Sequence, residues 1–196
     1  MDGLIALFTA ALALMGSPGP ATLSSAAAGA AYRLRAVPYV LGISLGTITV
    51  MVLVAAGVTG LVTSIPGAAP VISGLAAAYI LYLAWRIATA PPVGALDRQA
   101  TAPPFIGGYA MAIVNPKAYG AMGALFSGFP LIPDDPVNDG MLKVAVLSGF
   151  ALVINTTWMS LGAGLARAMR NPRTSRALNV VFAVLLVASV VGALLL

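Results

Sequence analysis

One lysine stands in the middle of a long apolar stretch. Lys117 is twelve residues from either end of the run 105–129, which holds no other charge. An ammonium in such surroundings needs acceptors or an anion beside it. It directly follows Asn115-Pro116, which reads as the end of one helix and the start of another. Proline removes a backbone donor and clashes with the preceding turn. It is favoured as the first residue of a new helix, with Asn or Gly before it as the cap. A second site of this kind, Ser17-Pro18-Gly19-Pro20, interrupts the charge-free stretch between Asp2 and Arg33. Each restart would expose backbone N–H groups and the positive end of a helix dipole. Such ends bind anions, a carboxylate among them. The plainer alternatives are that the prolines only kink their helices, and that Lys117 snorkels or sits in a re-entrant hairpin.

Other polar residues in apolar runs are candidates for the same site. Asn155 either ties helices together or faces a cavity. Thr47 is a second candidate, although Ser44, Thr47 and Thr156 can each bond their own backbone four residues back. Gly42 and Gly46 make a face of small residues suited to helix packing. The sequence contains no Cys, no His and no Glu. Thiol chemistry, a thiolate metal site and an imidazole base are therefore absent.

These residues need elements that hold them in an apolar medium. Of 196 residues, 60% are apolar and 8% charged, and the mean hydropathy is +1.01. Soluble domains carry about a quarter charged residues. The chain reads as an all-α integral membrane protein. The net charge of +5 does not point to nucleic acid, because the charges are too sparse to track phosphates. No charge falls within 36–85, a stretch too long for one span of about 20 residues. The segment Ser64-Ile65-Pro66-Gly67-Ala68-Ala69-Pro70 divides it. Six spans result, at about 4–31, 37–62, 71–89, 105–129, 144–165 and 177–196. The run 4–15 lacks a basic segment before it and reads as a span rather than a cleaved leader.

Loops one, three and five carry eight basic residues: Arg33, Arg35, Arg86, Arg98, Arg167, Arg170, Arg173 and Arg176. The even loops carry one, Lys143. Odd loops are thus expected in the cytoplasm, with both termini outside. Asp2, Asp134, Asp135 and Asp139 then fall on the outer side. Tyr79, Tyr82 and Trp85 read as interfacial aromatics. No hydrophilic stretch is long enough for a separate domain, so 1–196 forms one transmembrane domain.

Six spans split into three plus three, about 1–89 and 105–196, joined by a cytoplasmic linker at 90–104. Because three is odd, two similar halves would be inverted relative to each other. Spans one and four, the first of each half, would both be broken near the midplane. Paired interrupted segments at matching positions point to a transporter binding site.

The residues also resemble a known family, the LysE/RhtB amino-acid exporters. The resemblance is carried by Ser17-Pro18-Gly19-Pro20, by the glycine-spaced Gly42–Gly46 segment, and by Ala78-Tyr79-Ile80-Leu81-Tyr82-Leu83-Ala84-Trp85-Arg86. Asn115-Pro116-Lys117-Ala118 and Arg176-Ala177-Leu178-Asn179 complete it, in the family's order and across nearly the whole chain. It implies a six-helix secondary exporter of amino acids or related metabolites in a bacterial inner membrane, coupled to a proton or sodium ion and able to form a homodimer. Some members carry an Asp in span two, about where this chain has Thr47. With no acid in an expected span, proton coupling and cationic substrates are disfavoured.

The expected function is export of a small zwitterionic amino acid by alternating access. The expected site comprises Pro18, Gly19, Pro20, Thr47, Asn115, Pro116, Lys117 and Asn155. The substrate carboxylate would lie at the restarts near Lys117, and Thr47, Asn155 and freed carbonyls would take the ammonium. No cofactor or metal is expected. The alternatives are a metal-ion exporter, which has few ligands here, a membrane enzyme using Ser17 and Lys117 as nucleophile and base, and a non-transport scaffold.

Overall fold

The computed structural model describes residues 2–57 and 101–165 continuously, together with scattered positions over 71–89 and 171–187. All regular structure among the described residues is helical. Helix α1 spans Asp2–Gly16 and α2 spans Pro20–Tyr32. A 3-10 turn at Arg33–Ala36 leads into α3, Val37–Ala55. Then follow α4, Phe105–Ile113, α5, Pro116–Gly128, and the 30-residue α6, Pro136–Leu165.

Local chemistry explains these bounds. Proline disfavours helical geometry in the residue before it. Ser17-Pro18-Gly19-Pro20 therefore ends α1, and Pro20 opens α2 with its φ already set. Thr22 Oγ1 accepts the Gly19 N–H at 2.9 Å and so secures the new N-terminus. Asn115 caps α5, its Oδ1 accepting the Lys117 N–H at 3.1 Å. Asp135 does the same for α6, accepting from the Asn138 N–H at 3.1 Å and from the Asn138 side-chain amide. The Asn138 backbone bond, followed by its side-chain bond, holds the Asp135 carboxyl below its usual range. Gly57, at φ +74°, follows the end of α3 in the left-handed conformation glycine favours.

Two boundaries differ from the expected spans. Span five was expected from 144, but α6 starts at Pro136. The helix thus takes in Asp139 and Lys143, both buried, which the charge pattern of the sequence places in an outer loop. Their mutual ion pair is what makes charged residues compatible with a packed helix. Span two was expected to reach 62, and α3 ends at Ala55 with a turn over Ala56 and Gly57. Residues 90–100 of the expected linker 90–104, the turn at 64–70, Tyr79 and most of span six lie outside the described residues. Tyr82 and Trp85 are exposed, with ring centroids 6.2 Å apart.

The core has two main parts. Leu7, Ala11, Met51, Met122, Leu125 and Leu147 join α1, α3, α5 and α6. Ala28, Val40, Ile43, Met111, Ala112 and Met159 join α2, α3, α4 and α6. Backbones approach closely where small residues allow it. A Cβ at Gly42 would collide with the Phe105 carbonyl, and one at Gly29 with the Met159 carbonyl. The Gly42–Gly46 face is thus a packing surface for α4. Large apolar side chains face outward, among them Leu12, Leu45, Val52, Val153 and Leu161. The runs Pro20–Ala55 and Pro136–Gly164 are long and apolar enough to cross a membrane.

Candidate functional site

The end of α1 and the start of α2 meet the start of α5, and Lys117 reaches across to the turn between them. Its Nζ donates to the Ser17 carbonyl at 2.8 Å, to Ser17 Oγ at 2.8 Å and to the Pro18 carbonyl at 3.1 Å. An ammonium has three N–H donors and no acceptor, so the three bonds use all of them. The carbonyls that accept belong to the turn just beyond the end of α1, and that of Ser17 also accepts from Thr22 Oγ1 at 3.3 Å. This end of α1 is also the negative end of its dipole, which favours a cation. The carbonyl of Gly16 is taken as well, by the Trp158 indole N–H of α6 at 3.1 Å.

An open-mouthed cavity lies beside this contact. Its floor and walls come from α1 (Leu14, Met15), α2 (Ala21, Thr22), α3 (Thr47), α5 (Ala118, Ala121, Met122) and α6 (Ala151, Ile154). Gly19, Asn115, Lys117 and Asn155 complete the lining. Five of the eight expected site residues, Gly19, Thr47, Asn115, Lys117 and Asn155, therefore share one cavity. Pro18, Pro20 and Pro116 are outside its lining. Pro18 contributes a carbonyl to Lys117, while Pro20 and Pro116 open helices.

The polar side chains of the cavity are partly committed. Thr47 Oγ1 donates to the Ile43 carbonyl at 2.9 Å, which leaves its oxygen lone pairs as acceptors. Asn155 Nδ2 donates to Ser44 Oγ at 3.2 Å, and Ser44 Oγ donates to the Val40 carbonyl. Asn155 thus both ties α6 to α3 and lines the cavity. One expectation is corrected at α5. The first N–H groups there are not open to an anion, because Asn115 takes both: its side chain accepts from Lys117 N and its carbonyl from Ala118 N. The positive charge at the cavity is that of Lys117, whose three N–H groups are committed to Ser17 and Pro18.

Ser17, Thr22, Ser44 and Trp158 were not among the expected site residues. Trp158 carried a legible signal, since an indole N–H inside an apolar run must find an acceptor. Ser17 did not, because nothing local shows that a residue 100 positions away will reach its carbonyl. Its hydroxyl is near Lys117, as the enzyme alternative requires, but the roles are reversed. Lys117 donates to Ser17 Oγ while also donating to two carbonyls, and Ser17 Oγ donates to the Leu14 carbonyl. A general base would have to accept from the serine. Among the described residues, no group of three His, Cys, Asp or Glu gathers to hold a metal.

Packed apolar helices with outward apolar side chains fit a helical membrane protein, and its cavity joins the two helix restarts. The chain belongs to the LysE type translocator family, whose model matches residues 12–196. It is similar to the cysteine/O-acetylserine efflux protein of Salmonella choleraesuis (strain SC-B67), with 32% identity over 94% of this chain and 93% of that protein. It is likewise similar to the protein of the same name from Escherichia coli O1:K1 / APEC, with 33% identity over 94% of this chain and 93% of that one. No solved structure matches.

Proposed function

We propose that this translocator exports a small zwitterionic amino acid, of the cysteine or O-acetylserine type, across the bacterial inner membrane. The observation that carries this reading is the shared cavity, in which Gly19, Thr47, Asn115, Lys117 and Asn155 converge. The substrate carboxylate would lie between the Lys117 ammonium and the start of α2. Thr47 and Asn155 would act as polar partners deeper in the cavity. The apolar wall of Ala118, Met122 and Ile154 suits a short side chain.

The proposed mechanism is alternating access by two inverted three-span halves, about 1–89 and 105–196, rocking about the cavity. The turns at 17–19 and 114–115 would lie near the midplane, where irregular backbone is tolerated only in protein or beside a wet cavity. Both termini would face the outside, by the excess of basic residues in the odd loops. A proton or sodium ion would drive export, and the chain would assemble as a homodimer.

The test is efflux from vesicles preloaded with radiolabelled amino acids. Cysteine, O-acetylserine and serine should leave faster than from empty-vector vesicles, while lysine and arginine should not. Equal retention of every amino acid in the panel would overturn the reading.

A further inference from the structure

We infer that the Ser17 carbonyl, Ser17 Oγ and the Pro18 carbonyl form a binding subsite for a primary ammonium, filled in this state by Lys117 itself. The substrate's own ammonium would replace Lys117 there, while Lys117 turns to the substrate's carboxylate. This assignment rests on the zwitterion reading above and adds the exchange of partners.

Three acceptors surround one point, at 2.8, 2.8 and 3.1 Å from Lys117 Nζ. They match the three N–H groups of any primary ammonium, tethered or free. They stand at the negative end of α1, a 15-residue helix. The site is reachable, since the bond to the Pro18 carbonyl is on an exposed side of the contact and Lys117 lines the cavity. Nothing at position 19 covers it: a methyl built there would lie 2.9 Å from Nζ. Among the described residues no carboxylate contacts Lys117, so its charge is balanced by neutral dipoles alone.

The exchange follows from what each ligand would leave unpaired. A free amine that displaces Lys117 leaves that ammonium without acceptors. A free carboxylate that draws Lys117 away leaves the Ser17 and Pro18 oxygens without a cation. The Ser17 contacts are partly buried and the Pro18 contact is exposed, so an unreplaced partner carries part of the cost of an unsatisfied buried group. A zwitterion supplies both replacements at once, so neither side is orphaned. Lysine suits this role better than arginine, because it is a compact charge on a flexible stem. The subsite thus acts as a filter for ligands that carry both groups.

The test uses the purified full chain in proteoliposomes and four probes: O-acetylserine, cysteine, ethylamine and propionate. The native protein should bind the two zwitterions and bind ethylamine and propionate at least tenfold more weakly. Lys117→Met empties the subsite, so it should gain ethylamine binding at least tenfold over the native protein. Ser17→Ala added to Lys117→Met should reduce that gain, which a merely structural role for Ser17 would not do. Where Lys117→Met does not accumulate, Lys117→Gln should show the same gain, because a neutral amide yields to an ammonium. A well-folded Lys117→Met protein with no gain for ethylamine overturns the subsite, as does a native protein that binds ethylamine as tightly as O-acetylserine. Gain for ethylamine in a protein whose native form binds no zwitterion supports the subsite and refutes amino-acid export instead.

Discussion

Gly19 and Lys117 touch across the two helix restarts: a methyl built on Gly19 would lie 2.7 Å from Lys117 Cδ and 2.9 Å from its Nζ. Glycine is not required there by backbone geometry, since φ −175° is extended and open to any residue. What position 19 needs is the absence of a side chain, so that the lysine stem can lie over the turn. Gly19→Ala should therefore act through Lys117. The stem is flexible and will move, at the expense of bonds to Ser17 and Pro18. Hydrogen bonds to a charged group contribute about 1.5–3 kcal/mol, and partial loss should lower stability by about 1 kcal/mol. In a background of Lys117→Met, the effect of Gly19→Ala should shrink, because the straight apolar chain has no bonds to lose. Thermal unfolding of the four proteins gives the coupling, and strict additivity would show that the contact carries no energy.

Part of this site was legible in the sequence because proline and asparagine act locally. Asn115-Pro116 and Gly19-Pro20 start helices wherever they stand in a helical run, so their positions predict the restarts at Pro20 and Pro116. The convergence of Thr47 and Asn155 on the same cavity was inferred only from their polarity in apolar runs. The partner of Lys117 was not legible. A carbonyl has no residue type, and the acceptors Ser17 and Pro18 lie 100 and 99 residues away. Asp139 and Lys143 misled for a related reason. Their charges read as loop, yet at spacing four on a helix they neutralise each other, and the helix extends over both.

That pair gives the second prediction. Lys143 is fully buried, bonded to Asp139 at 2.6 Å and to the Phe126 carbonyl at 2.7 Å. Asp139 Oδ1 also accepts the N–H groups of Leu131 and Ile132, which fixes the connection from α5 to α6. Removing one partner of a buried ion pair costs about 3–5 kcal/mol, because it orphans the other. Asp139→Asn should thus be strongly destabilising. Lys143→Met should be milder, since Asp139 keeps its two backbone donors. The double variant Asp139→Asn with Lys143→Met should recover much of the loss of Asp139→Asn alone. Unfolding midpoints in detergent decide this, and a double variant no better than Asp139→Asn would mean that the pair does not act as a unit.

A third prediction separates packing glycines from spare ones. Cβ atoms at Gly42, Gly108 and Gly162 would run into neighbouring backbone, whereas at Gly123 and Gly149 nothing lies within 4 Å. Backbone cannot yield as a side chain can. Gly42→Ala should force α3 from α4, with overpacking costs of about 1–3 kcal/mol. Gly123→Ala and Gly149→Ala sit in helices with open space, where alanine favours the helix by up to about 1 kcal/mol. Unfolding temperatures should fall for the first and hold or rise for the other two. Equal falls in all three would remove the packing explanation.

The last prediction concerns which end of the molecule faces the cytoplasm. The fold groups its turns into two sets by direct contact. A Cβ on Gly3 would lie 3.6 Å from Leu131 Cδ2, and one on Gly140 would lie 3.4 Å from the Ala55 Cβ. The N-terminus, the end of α3 and the segment before α6 therefore share one end. A Cβ on Gly107 would lie 3.8 Å from the Tyr39 ring, which joins the start of α4 to the start of α3 at the other end. This second set includes the basic turn with Arg33 and Arg35. Basic loops stay on the cytoplasmic side, so the second end should face in and the first out. The sequence has no cysteine, so single probes are clean. Cys at Ala56 or Asp134, both exposed, should react with an impermeant thiol reagent in intact cells. Cys at Leu34, 81% exposed, or at Thr101 should react only after the cells are opened. The reverse pattern would invert the orientation and leave the grouping of the ends intact. Labelling that splits Ala56 from Asp134 would break the grouping itself, because two residues at one end of a rigid packing cannot face opposite compartments.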